Sequence, residues 1–179
     1  KTPIPGPVPV SNLGIAGDGV ADTKHHGGVD KAVLAYSLDN YPEWSQVLAR
    51  DLPPGACGEN LSIEGVDEDQ VCIGDHWQIG NVILEVSQPR QPCWKLGRRW
   101  NYKLLPKLVI QNGRSGWYFR VIREEQNEAN TTISLVSRSQ PTWSIMRANE
   151  VFYRGTDGER RELAGVEGLS ASWKAELKS

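Results

Sequence analysis

The clearest pattern of apolar and polar positions lies in DHWQIGNVILEVSQ, residues 75–88. Apolar residues alternate with polar ones on both sides of a Gly-Asn pair: Trp77 and Ile79 come before Gly80 and Asn81, and Val82, Leu84 and Val86 come after. Alternation with period two indicates strands, and a two-residue Gly-Asn turn is typical of a hairpin. We therefore predict a β-hairpin that leads directly into the segment SQPRQPCWKL.

Other stretches predict further short elements. An uninterrupted apolar run over residues 32–36 indicates a buried strand, and residues 116–122 and 132–138 indicate two more strands separated by a polar turn. Residues 38–48 have apolar positions at helical spacing, with Pro42 near the first turn, which favours a short helix. The prolines and glycines of residues 1–22 favour short extended pieces.

The pattern changes after Arg138. The stretches PTWSIMRANEVFYR and LAGVEGLSASWKAELK have helical spacing, and Thr142 and Ser170 are the predicted N-caps. We predict a β-rich body over residues 1–138 and a small helical extension over 139–179. Many short strands without regular βα alternation favour a mainly β (α+β) fold built on a β-barrel over a doubly wound sheet.

Composition narrows the classes of function. Lys and Arg number 20 against 22 Asp and Glu, a net charge of −2, which argues against a protein whose main partner is a nucleic-acid backbone. No run approaches the roughly 18 apolar residues of a membrane span, and KTPIPGPVPV lacks the apolar core of a signal peptide. The three cysteines form no CxxC motif, which indicates free thiols in a reducing compartment and favours the cytoplasm.

Cys93 lies in a segment with unusual neighbours. Pro92 restricts the backbone before it, and several cations lie near it in sequence: Arg90, Lys95, Arg98 and Arg99. The thiolate is the metal-binding form of cysteine, and cationic neighbours favour it. A buried, inert cysteine is an equally good interpretation of this segment alone, and it is the one we expect for Cys72.

Two polar segments add weaker signals. In TKHHGG, the glycines permit positive φ or close approach to a ligand and Lys24 suits a phosphate, although a polar turn is the favoured interpretation of this segment alone. In GENLSIEG, Glu59 and Asn60 are suited to hydrogen-bonding a heterocycle, or Asn60 simply closes a turn. With three histidines and no HxH or HxxxH motif, a histidine-based zinc site is not expected.

The order of these signals is more specific than any one of them. A GD turn, then K-x-HGG, GEN-L, a hairpin ending in PRxPC and then GWYFRVI follow one another along the chain. This succession resembles the MOSC domain, and within that superfamily it is most similar to the YiiM group, which has the same PRxPC loop and a C-terminal helical extension. The resemblance covers nearly the whole chain and implies a MOSC-type β-barrel with short helices.

The resemblance also implies a molybdenum cofactor, Mo-molybdopterin. Cys93 matches the cysteine that ligates molybdenum, and a soft thiolate suits a metal held by dithiolene sulfurs. The K-x-HGG motif corresponds to Lys24, His26, Gly27 and Gly28, while His25 occupies its variable position.

Roles follow from the chemistry of the matched residues. Lys24 and Arg90 suit the terminal phosphate or the anionic metal unit of the cofactor. His26 would donate to the pterin or to an oxo ligand, or move a proton during turnover. Asn60 would hydrogen-bond the pterin edge. Cys93, His26 and Arg90 are thus the catalytic candidates.

The activity implied by the resemblance is reduction of small N-hydroxylated compounds, including hydroxylaminopurines, to amines by oxygen transfer. No nicotinamide or flavin motif occurs, so the electrons are expected from a separate flavin reductase. No nucleic-acid polymer or membrane is expected as a partner, and a homodimer is left open. Two alternatives remain: a sulfur or cofactor carrier using the same cysteine, and a β-barrel interaction module with an inert cysteine.

Overall fold

The computed structural model describes residues 4, 6–18 and 27–179. The strands of this part are β1 (Val8–Ser11), β2 (Gly14–Ile15), β3 (Val33–Ser37), β4 (Leu61–Ile63), β5 (His76–Ile79), β6 (Val82–Pro89), β7 (Trp117–Arg123), β8 (Glu125–Asn127) and β9 (Ile133–Ser137). Its α-helices are α1 (Tyr41–Leu48), α2 (Trp94–Arg99), α3 (Leu105–Asn112), α4 (Ile145–Arg154), α5 (Asp157–Ala164) and α6 (Ala171–Leu177). Short 3-10 turns cover Val29–Lys31 and Leu38–Asn40.

Six strands form a curled half-barrel sheet in the order β4-β3-β7-β6-β5-β9. β3 and β4 run parallel, and the other neighbours in this sheet are antiparallel. A smaller sheet has the order β2-β1-β8. This mixed α+β architecture, with short helices and a helical C-terminal part, confirms the predicted fold class.

The predicted hairpin is present. β5 pairs with β6 from His76↔Glu85 to Ile79↔Val82, and the two strands bury alternate residues over this stretch. Ser87 breaks the alternation, because it is fully buried although its neighbour Val86 is buried too. Its hydroxyl is satisfied in the interior by hydrogen bonds to the backbone carbonyls of Asp30 and Tyr118. The hairpin thereby fixes the strand end that precedes Cys93.

Three features differ from the sequence prediction. Helix α4 begins after Ser144, whose hydroxyl accepts from the Arg147 N–H, so the predicted N-cap Thr142 is wrong; Ser170 caps α6 as predicted. β8 was not predicted, because its sequence EQN is entirely polar and it forms by pairing with the distant β1. α5 was not predicted either, because its residues are mostly polar.

Two hydrophobic clusters organise the interior. The larger one joins the sheet to the C-terminal helices and includes Trp117, Phe119 and Trp173. The smaller one packs α1 against α2 and α3 through residues such as Trp44 and Leu96. This second cluster holds the helix that begins directly after Cys93. The predicted boundary near residue 138 stays a prediction.

Candidate functional site

Cys93 lies between the end of β6 and the start of α2. Its backbone is extended, with φ −101° and ψ 166°, and its carbonyl accepts the Leu96 N–H at 3.1 Å. Arg90 N–H donates to the Gly116 carbonyl at 3.0 Å, which ties the segment to the neighbouring strand. Cys93 is partly exposed, whereas the free thiols of Cys57 and Cys72 are buried. The structure therefore presents one accessible sulfur at this bend.

Cys93 faces a cleft with a volume of about 240 Å³. The charged residues that line it are Asp18, Lys31, Arg90, Lys95 and Arg99. Asp18 is the one carboxylate among the described residues of this lining. A cleft with an excess of cations focuses a positive potential and attracts anions. The local charge thus differs in sign from the net charge of the whole chain, which is −2.

Arg90 is the most informative cation of the cleft. Its side chain lies in the wall at 8% exposure, and its buried Nη1 has no hydrogen-bond partner in the described part of the chain. A buried guanidinium nitrogen without a hydrogen-bond acceptor is costly. The Arg90 side chain also lines the cleft and adds to its positive charge.

Asn60 lines the same cleft, but both ends of its amide contact the protein. Its Oδ1 accepts the Leu34 N–H at 3.0 Å, and its Nδ2 donates to Asp18 Oδ2 at 2.6 Å. Asn60 therefore links β3 to the Asp18 turn and keeps only one amide hydrogen for a ligand. The structure thus gives this residue a positioning role in the cleft wall.

Glu59 does not line the cleft. Its carboxylate is 2% exposed and accepts from four protein groups: Tyr41 Oη, Gly55 N, Cys57 N and Ser62 Oγ. These donors leave little capacity for a heterocycle. The carboxylate instead holds the loop that carries Cys57.

Cys57 is a cleft residue that sequence reasoning missed. It lines the same cleft as Cys93, and burial, followed by the charge of Glu59, raises the pKa of its thiol to about 12. It is therefore a neutral thiol at pH 7, unsuited to metal ligation without loss of its proton. Tyr118 was also missed: it lines the cleft, and burial raises the pKa of its hydroxyl. No local pattern in GACGEN or GWYFRVI marks either residue.

The glycine-rich loop is described only in its second half. Lys24, His25 and His26 lie outside the described residues. Gly28 adopts φ 97°, one of the positive values that glycine permits, and leads from Gly27 into the turn Val29–Lys31. The Asp30 carboxylate of this turn forms an ion pair with Arg120 of β7 at 2.8 Å. Lys31 follows directly and lines the cleft, so the loop ends at the site.

Cys72 lies away from this cleft. It is 2% exposed, its Sγ is 3.7 Å from the Pro141 carbonyl oxygen, and burial raises the pKa of its thiol. The expectation of a buried cysteine at this position is confirmed.

Family models match two consecutive parts of the chain: the MOSC domain over residues 22–135 and the YiiM-like, 3-alpha helix domain over residues 143–179. The chain belongs to the MOSC family. The first match includes Cys93, Arg90 and every other described residue of the cleft lining except Asp18, and the second covers the C-terminal helices.

Relatives extend over almost the whole chain. YflK of Bacillus subtilis is 38% identical over 181 residues, covering 98% of this chain and 80% of that protein. YiiM of Escherichia coli K12 is 32% identical, covering 97% and 79%. The crystal structure of YiiM from Geobacillus stearothermophilus superposes with a TM-score of 0.88 at 35% identity, covering 99% and 85%. This MOSC protein therefore has a YiiM-like fold.

A further relative has a functional name. A protein of Gibberella moniliformis named "Reductase" is 40% identical over 154 residues, which cover 82% of this chain and 27% of that protein. This MOSC chain thus resembles about a quarter of a larger protein named for reduction. Among the residues that the structure describes, no helix is long and apolar enough to cross a bilayer.

Proposed function

We propose that this chain is a molybdenum-cofactor-dependent oxidoreductase that reduces N-hydroxylated compounds to amines. The observation that carries the proposal is a cleft that exposes the Cys93 thiol beside an excess of cations. One of these cations is Arg90, whose buried Nη1 has no hydrogen-bond partner among the described residues. Membership of the MOSC family and the reductase name of one relative support it.

The residues of the cleft fit Mo-molybdopterin. Cys93 offers a soft thiolate for the metal, and Arg90 offers donors for an anionic metal unit or a phosphate. Lys31, Lys95 and Arg99 add positive charge to the same wall. Lys24, His26, Gly27 and Gly28 complete the proposed binding set through the matched motif. When bound, this cofactor supplies a centre that accepts an oxygen atom and exchanges two electrons.

The protein's own task is to bind, orient and protonate. In the proposed reaction the N–O bond breaks, two electrons and two protons enter, and an amine and one water leave. His26 is the proposed proton carrier. Tyr118, whose raised pKa keeps its hydroxyl protonated at neutral pH, provides a neutral polar group in the cleft wall. Asn60 holds the Asp18 turn in place by donating from its Nδ2 to the Asp18 carboxylate.

The electrons are proposed to come from a separate flavin reductase. The proposed location is the cytoplasm, where a reducing environment keeps the Cys93 thiol available. The three cysteines are all free in the structure, which is compatible with that setting.

An anaerobic turnover assay tests the proposal. Protein from a host that makes the cofactor is mixed with reduced methyl viologen and 6-hydroxylaminopurine, and adenine is quantified by chromatography. We expect turnover for the natural protein and for the matched control Cys72→Ala, because Cys72 lies outside the cleft. Cys93→Ser should lose turnover while its circular dichroism spectrum stays unchanged.

Two results would reject the proposed activity. Turnover that persists in Cys93→Ser would refute the ligand assignment. A cofactor-loaded natural protein that fails to reduce the substrate, yet transfers its cofactor to an apo-molybdoenzyme, would identify a carrier instead.

A further inference from the structure

Charge is distributed very unevenly along the chain. Residues 86–123 contain none of the 22 Asp and Glu residues but nine of the 20 Lys and Arg residues. This stretch runs from the end of β6 through α2 and α3 to β7, so it includes the Cys93 bend. The remaining sequence is correspondingly acidic.

Some of these cations are neutralised within the protein. Arg114 pairs with Glu43 at 2.8 Å, and Arg120 pairs with Asp30 and Glu85 at 2.8 and 3.0 Å. Five others lie on α2, on α3 and on the turn between them, are exposed, and form no ion pair in the described part of the chain: Lys95, Arg98, Arg99, Lys103 and Lys107. We call these five residues the basic face.

The segment that carries the basic face also exposes two large apolar side chains. Trp94 is 63% exposed and Leu104 is 59% exposed. The Arg98 guanidinium lies 5.8 Å from the centre of the Trp94 ring, which holds the indole in a cation–π contact at the surface. Exposed tryptophan together with arginine is typical of protein interfaces. Trp94 directly follows Cys93, so this surface adjoins the opening of the cleft.

We propose that the basic face, with Trp94 and Leu104, docks an acidic electron-transfer protein that delivers electrons to the Cys93 site. This inference rests on the proposed function, which needs two electrons per turnover from outside the chain. Positive and negative surfaces steer association and orient the partners, and redox complexes of this kind are small and transient. Docking here brings the donor next to the proposed metal ligand.

A protein partner suits this surface better than a nucleic acid. The remaining sequence is acidic, so a long polyanion extending beyond the basic face would meet repulsion. A compact acidic protein would contact the basic face and the two apolar side chains together. Nucleic-acid binding is therefore the competing outcome of the test.

The test reverses charges that lie outside the cleft. Lys103→Glu with Lys107→Glu alters the basic face, and neither residue lines the cleft. The matched control is Arg161→Glu with Lys178→Glu, because both residues are exposed near the C-terminal helices. Binding of an acidic flavodoxin is measured by titration calorimetry from 25 to 200 mM salt, and binding of single-stranded DNA is measured in parallel. Turnover is measured with flavodoxin hydroquinone and with reduced methyl viologen.

We expect the basic-face variant to weaken flavodoxin binding about tenfold at low salt, with less salt dependence, while the control binds normally. Viologen-driven turnover should stay the same in both. Equal weakening in both variants, no weakening in either, or tighter binding of DNA than of flavodoxin would overturn the docking surface. If the natural protein shows no viologen-driven turnover, the proposed function is rejected. The binding titrations would still decide whether the basic face is a docking surface.

Discussion

In helix α4, Arg147 donates to Glu150 at 2.8 Å and to Glu159 at 2.6 Å, whereas in the cleft wall Arg90 buries an Nη1 with no partner among the described residues. Arg138, directly after β9, resembles Arg147: its guanidinium donates to the fully buried Asp75 carboxylate at 2.9 and 2.7 Å. Arg138 and Arg147, outside the cleft, therefore form ion pairs with carboxylates, whereas Arg90 in the cleft wall has a buried Nη1 without a partner among the described residues.

This difference separates cations that stabilise the fold through ion pairs from a buried cation that has no such partner among the described residues. Removing one partner of an internal ion pair leaves the other charge desolvated and uncompensated. Removing a buried cation that has no partner relieves such a cost. Substitutions in the two regions should therefore affect stability and ligand retention in opposite ways.

The largest stability effect is expected for Arg138→Met. The Asp75 carboxylate is fully buried and would lose both of its guanidinium contacts, so the free energy of unfolding should fall by about 3 kcal/mol. Urea unfolding of the cofactor-free protein measures this loss. Arg147→Met is the control and should lose clearly less, because both of its carboxylate partners are exposed enough to be solvated. Equal losses in the two variants would contradict the comparison.

Arg90→Met should have the reverse profile. Cofactor retention after gel filtration should drop about tenfold or more, since a charge-assisted contact of roughly 1.5–3 kcal/mol is removed. The thermal midpoint of the cofactor-free protein should stay the same or rise, because an unpaired buried charge disappears. Arg90→Lys, which keeps the charge without the planar guanidinium, should retain less cofactor than the natural protein and more than Arg90→Met. A large stability loss in cofactor-free Arg90→Met would show that Arg90 is a structural residue.

The two thiols of the cleft should differ in their rate of alkylation. With a pKa of about 12, Cys57 is about 10⁻⁴ thiolate at pH 8 and should resist iodoacetamide, whereas the partly exposed Cys93 should react first. Mass spectrometry of the labelled peptides measures the order. Preferential labelling of Cys57 in the folded protein would refute its burial in the lining of the cleft.

The same shift predicts a pH dependence of stability. The folded-state pKa of Cys57 lies above the unfolded value, so the folded protein holds the thiol proton more tightly. The stability that depends on the neutral thiol is therefore fully present below about pH 8.5, and it is lost as the pH rises towards 12. Cys57→Ala should therefore flatten the decline of the unfolding free energy above pH 9. An identical slope in both proteins would contradict this.

Local patterns predicted the parts of this fold that local physics determines. The β5–β6 hairpin follows from alternation and a two-residue turn, and Gly28 has the positive φ that glycine permits. β8 escaped prediction because it depends on pairing with β1, more than 100 residues away. The α5 capping box formed by Thr156 and Glu159 was a usable signal in a mostly polar segment.

The site was only partly predictable for a similar reason. The neighbours of Cys93 were visible in PRQPCWKL, and the structure brings Arg90, Lys95 and Arg99 to its cleft. Cys57 reaches the same cleft from a loop held by the Glu59 carboxylate, a contact that no periodicity encodes. The missing partner of Arg90 is likewise a property of three-dimensional packing.

The claim that Cys93 holds a molybdenum cofactor is tested most simply by the molybdenum content of purified protein from a host that makes the cofactor, measured together with pterin fluorescence. We predict about one molybdenum and one pterin per chain for the natural protein, and almost no metal for a folded Cys93→Ser variant. A natural protein without molybdenum under these conditions, or a Cys93→Ser variant that keeps it, would contradict the account.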